Sequence, residues 1–141
     1  MTDNAATARN DGMAKTGQEQ ESRGRSLALA CACAHAADAK KATDVLVFDL
    51  AGLSDVCDAI VVCTGASPRL IDSVVDEVEE RVRGQFGLSP LSVEGRDDCR
   101  WVLVDYGAVV LHAFSPEGRE FYRLERLWGD APRVDVGLEL S

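Results

Sequence analysis

The sequence has no apolar run long enough to cross a lipid bilayer, which takes about eighteen or more consecutive apolar residues. It also lacks the charged-then-apolar leader of a secreted protein. The first 25 residues mix acidic and basic side chains, unlike an organellar transit peptide. These absences predict a cytoplasmic protein with no membrane partner.

Basic residues are scarce in most of the chain. Residues 1–25 carry four acidic and four basic side chains, whereas residues 26–141 carry twenty and eleven, so the formal charge of −9 lies entirely in the second region. Such a surface repels phosphate backbones and has no basic stripe to neutralise them. The sequence therefore disfavours direct nucleic-acid binding and favours a basic protein as partner.

The motifs of several enzyme and metal-site classes are missing. There is no GxGxxG or GxxxxGK[ST] phosphate loop and no GxSxG nucleophile turn. Gly65 and Ser67 in "CTGASPR" stand at a predicted strand-to-helix junction, but a plain helix cap explains them. There is no CxxC pair, and an odd number of irregularly spaced cysteines predicts small buried side chains rather than disulfides or a metal site: Cys31, Cys33, Cys57, Cys63 and Cys99. No cofactor is expected.

Two catalytic alternatives stay open. Asp44, Asp49 and Asp58 fall near predicted strand ends, where carboxylates of metal-dependent nucleotidyl transfer would stand, although no DxD spacing occurs. His112 follows Asp105 by seven residues, and a nucleophile such as Cys63 or Cys99 would complete a catalytic set only through the fold. A histidine hydrogen-bonded within the sheet or at an interface is the simpler interpretation.

The pattern of apolar residues predicts a mixed α/β domain over residues 26–133, between a disordered polar tail (1–25) and a C-terminal tail (134–141). The predicted element order is α-β-β-α-β-β-β-α, giving a sheet of about five strands with packed helices. The elements are a helix from Ser26, strands at 44–50 and 57–65, a helix from Ser67 to Gly84, a strand at 90–95, a hairpin about Gly107, and a helix from Ser115 to Gly129. This last helix is expected to bury Phe121, Leu124 and either Leu127 or Trp128.

The stretch "DDCRWVLVDYGAVVLHAF" (97–114) contains the strongest candidate for a binding surface. Strand alternation places Trp101, Leu103 and Asp105 on one face and directs Tyr106 to the other. An aromatic, an aliphatic and a carboxylate side by side are typical of a docking surface. A tryptophan on a strand is also common in a core, so the residues alone leave both interpretations open.

Four segments occur in an order that resembles the ribosomal silencing factor family, also called RsfS or Iojap: "KKATDVLVFDL", "LSDVCDAIVVCTGASPR", "PLSVEGRDDCRWVLVDYGAVVLHAF" and "REFYRLERLWGDAP". The resemblance covers roughly residues 26–133. Its most specific pieces are Glu94-Gly95, residues 101–107, His112, Arg119, Phe121-Tyr122 and residues 124–128.

The resemblance implies a non-enzymatic protein with a nucleotidyltransferase-like fold that has no active site, often a homodimer. Members of the family bind the fourteenth protein of the large ribosomal subunit and block joining of the small subunit when nutrients are scarce. Organelle relatives assist assembly of the large subunit. Carried over by position, the docking residues are Trp101 as anchor, Glu94 and Asp105 as partners for basic side chains, and, with less support, Tyr106 and His112.

Three positions depart from the family pattern. Ala59-Ile60 stands where relatives usually have an aromatic pair, and Ala108 where they commonly have an acid. Pro68-Arg69-Leu70 follows the capping serine in place of Arg-Gln. We expect the first change to affect packing or a dimer contact and the second to remove a salt link to the ribosome.

Overall fold

The computed structural model describes residues 17–138, which form a mixed α/β fold around a five-stranded sheet. The strands lie in the order β1-β2-β5-β4-β3; β2 and β5 are parallel and the other pairs are antiparallel. In chain order the elements are α1 (Gly17–Ala39), β1 (Thr43–Asp49), β2 (Ala59–Thr64), α2 (Pro68–Phe86), β3 (Ser92–Glu94), β4 (Trp101–Asp105), β5 (Val109–Phe114), α3 (Pro116–Tyr122) and a 3-10 turn (Leu124–Arg126). The predicted order and fold class are confirmed.

Helix α1 begins at Gly17, nine residues before the predicted start at Ser26. The expectation that residues 17–25 belong to a disordered tail is therefore wrong; residues 1–16 lie outside the described residues. Most side chains of this extension are exposed, so no apolar periodicity marks it in the sequence. Its Gln, Glu and Arg residues favour helix, and the Arg23 guanidinium forms an ion pair with Asp49 at the end of β1.

The start of helix α2 is capped as the sequence predicts, but the helix ends at a different residue. The Ser67 hydroxyl accepts a hydrogen bond from the Leu70 amide (3.1 Å), and Pro68 occupies the first turn. The helix continues through Gly84 to Phe86 because the left-handed residue that ends it is Gly87 (φ 68°), whose amide donates to the Arg83 carbonyl.

One face of the sheet, which we call the helix face, is covered by α1 and α2. Alternate residues of the three central strands point to it, including Val61, Val104 and Leu111, each fully buried. Alanines in α1 allow it to approach the sheet closely, and α2 contributes an apolar stripe: Ile71, Val74, Val75, Val78 and Val82. The departure at Ala59 is part of this core, whereas its neighbour Ile60 is buried on the opposite face, so both affect packing.

The opposite face of the sheet has a smaller apolar cluster, around Phe48 and Phe114, that is only partly covered. The chain after α3 crosses it, and Arg133 forms an antiparallel bridge with Phe48 at the β1 edge. Val134, Val136 and Leu138 pack against the helix-face core, so residues 134–138 are not the free tail that the sequence predicts. Residues 139–141 lie outside the described residues.

Helix α3 ends much earlier than predicted. It spans seven residues, because Arg123 adopts a left-handed conformation (φ 49°) and the chain tightens into the 3-10 turn. The predicted burial of Phe121 is wrong, since 71% of this residue is exposed. Leu124 and Trp128 pack against the Phe48–Phe114 cluster, whereas Leu127 is exposed.

Candidate docking surface

The strands β3, β4 and β5 bring four of the five predicted site residues to the partly covered face of the sheet. Glu94 pairs with Leu103, and Leu103 pairs with His112, so these three side chains form one row across the sheet. Trp101 and Asp105 flank Leu103 on the same face, two residues away in each direction. We call Glu94, Trp101, Leu103, Asp105 and His112 the docking face.

Trp101 lies at the centre of an aromatic cluster and is half-buried. Its ring centroid is 5.2 Å from that of Phe114 beneath it and 4.6 Å from that of Tyr122 on α3. The indole Nε1–H donates a hydrogen bond to His112 Nδ1 (3.0 Å). The indole is thus held in one orientation with part of its surface in solvent, as an anchor residue requires.

His112 is buried beneath Trp101 and acts as a hydrogen-bond acceptor. Burial lowers its pKa to about 4, although the nearby Asp105 carboxylate opposes this shift. The ring is therefore neutral at pH 7, and because Nδ1 accepts from the indole, its proton is on Nε2. His112 therefore holds the Trp101 indole in place through this hydrogen bond.

The cysteines proposed as nucleophiles lie on the other side of the sheet from His112. Cys63 and Cys99 belong to the helix-face core, whereas His112 points to the docking face. Burial also raises the pKa of Cys63 to about 12, so its thiol is protonated at neutral pH. This geometry does not form a cysteine–histidine catalytic pair.

The two carboxylates of the docking face differ in their surroundings. Asp105 is half-buried, and its Oδ1 accepts a hydrogen bond from the Gly107 amide (2.7 Å) at the β4–β5 turn. Glu94 is exposed at the end of the edge strand β3. Both carboxylates adjoin the half-buried Leu103, on the same face of the sheet as the indole.

Tyr106 does not belong to this surface, and its assignment as a docking residue is wrong. It points to the helix face, where only 8% of the residue is exposed. Burial raises the pKa of its hydroxyl above the ordinary value, and that hydroxyl has no hydrogen-bond partner within residues 17–138. Strand alternation in the sequence already indicated this orientation.

The aspartates of the nucleotidyl-transfer alternative do not converge. Asp49 is at the end of β1, paired with Arg23, and Asp58 accepts a hydrogen bond from Ser26 (2.8 Å). Asp44 is at the opposite end of β1, about 15 Å along the strand from Asp49. In the part of the chain that is described, no group of three or more His, Cys, Asp or Glu residues is placed to hold a metal ion.

Sequence reasoning missed the exposed rings of Phe121 and Tyr122 beside Trp101. The sequence contained a signal for this exposure, because adjacent residues of a helix point about 100° apart and cannot both face one core. Arg119 fixes this helix: its Nη1 donates to Thr64 Oγ1 (2.8 Å) and to the Asp44 carbonyl (3.0 Å), and its Nε bonds Glu125.

No helix within residues 17–138 is long and apolar enough to span a membrane.

Comparison with known proteins agrees with this architecture. Residues 23–140 match the family model described as "Ribosomal silencing factor during starvation". The ribosomal silencing factor RsfS of Bacillus subtilis strain 168 is 41% identical over 106 residues, which cover 75% of this chain and 89% of the relative. A crystal structure of a Chromobacterium violaceum protein superposes with a TM-score of 0.70 at 26% identity, covering 82% of this chain and 94% of that one.

A more distant relative has a name that refers to assembly. The mouse protein called "Mitochondrial assembly of ribosomal large subunit protein 1" is 31% identical over 91 residues, 63% of this chain and 40% of the relative. The match to the family model covers most of the chain, and the resemblance inferred from the four segments between residues 26 and 133 is confirmed. The chain belongs to the ribosomal silencing factor family.

Proposed function

We propose that this protein binds the large ribosomal subunit through its docking face and prevents the small subunit from joining. The observation that carries the proposal is Trp101, a half-buried indole held in one orientation on a sheet face that is only partly covered. Family membership supplies the ribosome as target. The action is steric, since a ~15 kDa body on the joining surface needs only to stay bound.

The contact we propose is the fourteenth protein of the large subunit. A net charge of −9 suits a basic ribosomal protein, and Glu94 and Asp105 stand where they would meet its lysines and arginines. Trp101 and Leu103 would fill an apolar depression on that partner. An interface of ordinary size, about 800 Å² per partner, would cover this face. The site of action is then the cytoplasm, where subunits join.

The test removes the indole. Trp101→Ala should weaken binding to purified large subunits by about 2 kcal/mol or more, roughly 30-fold, and restore subunit joining in proportion. Co-sedimentation gives the affinity and gradient profiles give the joined fraction. Leu53→Ala is the control, because Leu53 is 58% exposed in the loop between β1 and β2, at the opposite end of the sheet.

A folded Trp101→Ala protein that binds and blocks like the wild type would refute the anchor. A loss of fold would instead show that the indole is needed for the core. Trp101→Phe, which keeps one aromatic ring and loses the Nε1–H donor and the second ring of the indole, is then the variant in which binding is compared with stability.

A second candidate, a factor that assists assembly of the large subunit, is favoured by the name of the mouse relative. Gradient profiles of a deletion strain distinguish the two, because loss of an assembly factor accumulates precursor particles, whereas loss of a silencing factor leaves mature subunits that join more readily. The homodimer implied by the family resemblance stays a prediction, and equilibrium sedimentation tests it.

A further inference from the structure

The docking face continues onto helix α3 through a run of three aromatic rings. The ring centroids of Trp101 and Tyr122 are 4.6 Å apart, and those of Tyr122 and Phe121 are 4.9 Å apart with the rings perpendicular. Exposure rises along the run, from a half-buried indole to 42% for Tyr122 and 71% for Phe121. A side chain as apolar as Phe121 is rarely left so exposed beside other rings unless the surface binds something.

We propose that Phe121 and Tyr122 are a second part of the docking surface and bind arginine side chains of the same basic protein. This inference rests on the proposed function. Glu117 stands one turn before Phe121 on the same side of α3, so a carboxylate and an aromatic ring are adjacent. That pair suits a guanidinium, which stacks on the ring and pairs with the acid.

The chain itself shows that this ring accepts a guanidinium. The Cζ atom of Arg100 lies 5.9 Å from the Phe121 ring centroid. Arg100 is itself exposed, so a guanidinium reaches this ring from solvent-accessible surroundings. A partner's arginine would use the same chemistry on the exposed ring.

Helix α3 is anchored tightly enough to present these rings in one position. A Cβ added to Gly118 would be 2.4 Å from the Arg100 carbonyl oxygen, so helix and strand are in direct backbone contact. The Ser115 hydroxyl accepts from the Gly118 amide (2.9 Å), and Arg119 bonds three separate segments. Binding would therefore require little loss of conformational entropy in the helix.

The charge around the rings selects a protein over a nucleic acid. Glu117 and Glu120 are both exposed on the same helix, and Glu94 and Asp105 lie on the adjoining sheet face. Bases stack on aromatic rings as well, but their phosphates would meet these carboxylates. The same carboxylates attract an arginine-bearing protein surface, and their attraction has to outweigh the charge of Arg100 at the Phe121 ring.

The experiment measures the affinity of the full chain for two probes, purified large subunits and the isolated fourteenth protein. Phe121→Ala should weaken binding to both by about tenfold, as loss of a central aromatic contact does. Phe121→Tyr should keep most of the affinity, and Leu53→Ala should change nothing. Glu117→Gln should weaken binding by a smaller factor that shrinks as salt is raised, whereas the Phe121→Ala effect persists. Since Phe121 is exposed, its removal leaves the fold intact, which thermal melting verifies.

The outcomes separate this inference from the proposed function. If wild-type protein binds neither probe, the proposed function fails and takes this inference with it. If Trp101→Ala loses affinity while Phe121→Ala binds like Leu53→Ala, only the extension onto α3 is refuted. If Phe121→Ala weakens binding to whole subunits but not to the isolated protein, the rings contact another component, and the assigned partner is overturned.

Discussion

The two faces of the sheet are built from the same strands, yet they differ in how completely other elements cover them. On the helix face, Val104 and Leu111 are fully buried under α1 and α2. On the docking face, their neighbours Leu103 and Asp105 are half-buried, and the buried His112 accepts a hydrogen bond from the Trp101 indole. Alternation along a strand thus allows one five-residue segment to bury its even-numbered residues in the helix-face core and to leave its odd-numbered ones at a partly covered surface.

Replacing one leucine with alanine on each face is the strongest test of this difference in burial. Leu111→Ala should lower the free energy of unfolding by about 3 kcal/mol, because it leaves a cavity in a closed core. Leu103→Ala should cost less, about 1 kcal/mol, since its side chain is only partly buried, yet it should weaken binding to the large subunit. Urea unfolding and co-sedimentation measure the two effects. Equal losses in the free energy of unfolding of the two variants would mean that the two faces are buried to the same extent.

Acid should destabilise the docking face through His112. The unfolded chain binds a proton near pH 6.5, whereas the folded chain does not until about pH 4. Stability is therefore lost as the pH falls from about 6.5 to 4, by at most about 3 kcal/mol. Protonation also turns Nδ1 into a donor and breaks the bond from Trp101.

The pH effect is measured by comparing unfolding curves of the wild type and His112→Asn from pH 7 to pH 4. His35 and the carboxylates, including Asp105, are present in both proteins, so the difference isolates His112. Indole fluorescence of the folded wild type should shift near pH 4, where His112 gains its proton and the bond from Trp101 breaks. Parallel stability profiles would show that the imidazole does not titrate as the buried geometry requires.

Substitutions at two glycines are expected to give the smallest changes in stability, and the two changes should have opposite signs. Gly84→Ala should stabilise the protein by about 1 kcal/mol, because the residue is within α2 and an added Cβ meets no atom within 4 Å. Gly95→Ala should destabilise it by more than about 1 kcal/mol, since φ is 91° and the Cβ would be 2.1 Å from the Trp101 carbonyl oxygen. Thermal melting of both variants decides the matter; a stabilised Gly95→Ala would contradict the close approach of this turn to β4.

Much of the docking face follows from local pattern. Period-two alternation between two apolar runs and Gly107 predicts the hairpin and places Trp101, Leu103 and Asp105 together. The same alternation directs Tyr106 inward, and assigning it to the docking face on family resemblance alone was the error. Phe121 was misplaced because the helix was extended past Arg123, where the chain instead adopts a left-handed conformation and tightens into the 3-10 turn.

The sequence by itself determined the element order, the N-cap of α2 and the strand faces, because each depends on residues within a few positions of one another, and it determined the acidic charge through composition alone. Only the tertiary structure decided that Glu94 joins the row of Leu103 and His112, that His112 holds the Trp101 indole, and that α3 sets Tyr122 against it. Those relations depend on cross-strand register and on which face the helices cover. Both result from burying apolar surface between segments far apart in the chain, which local spacing does not encode.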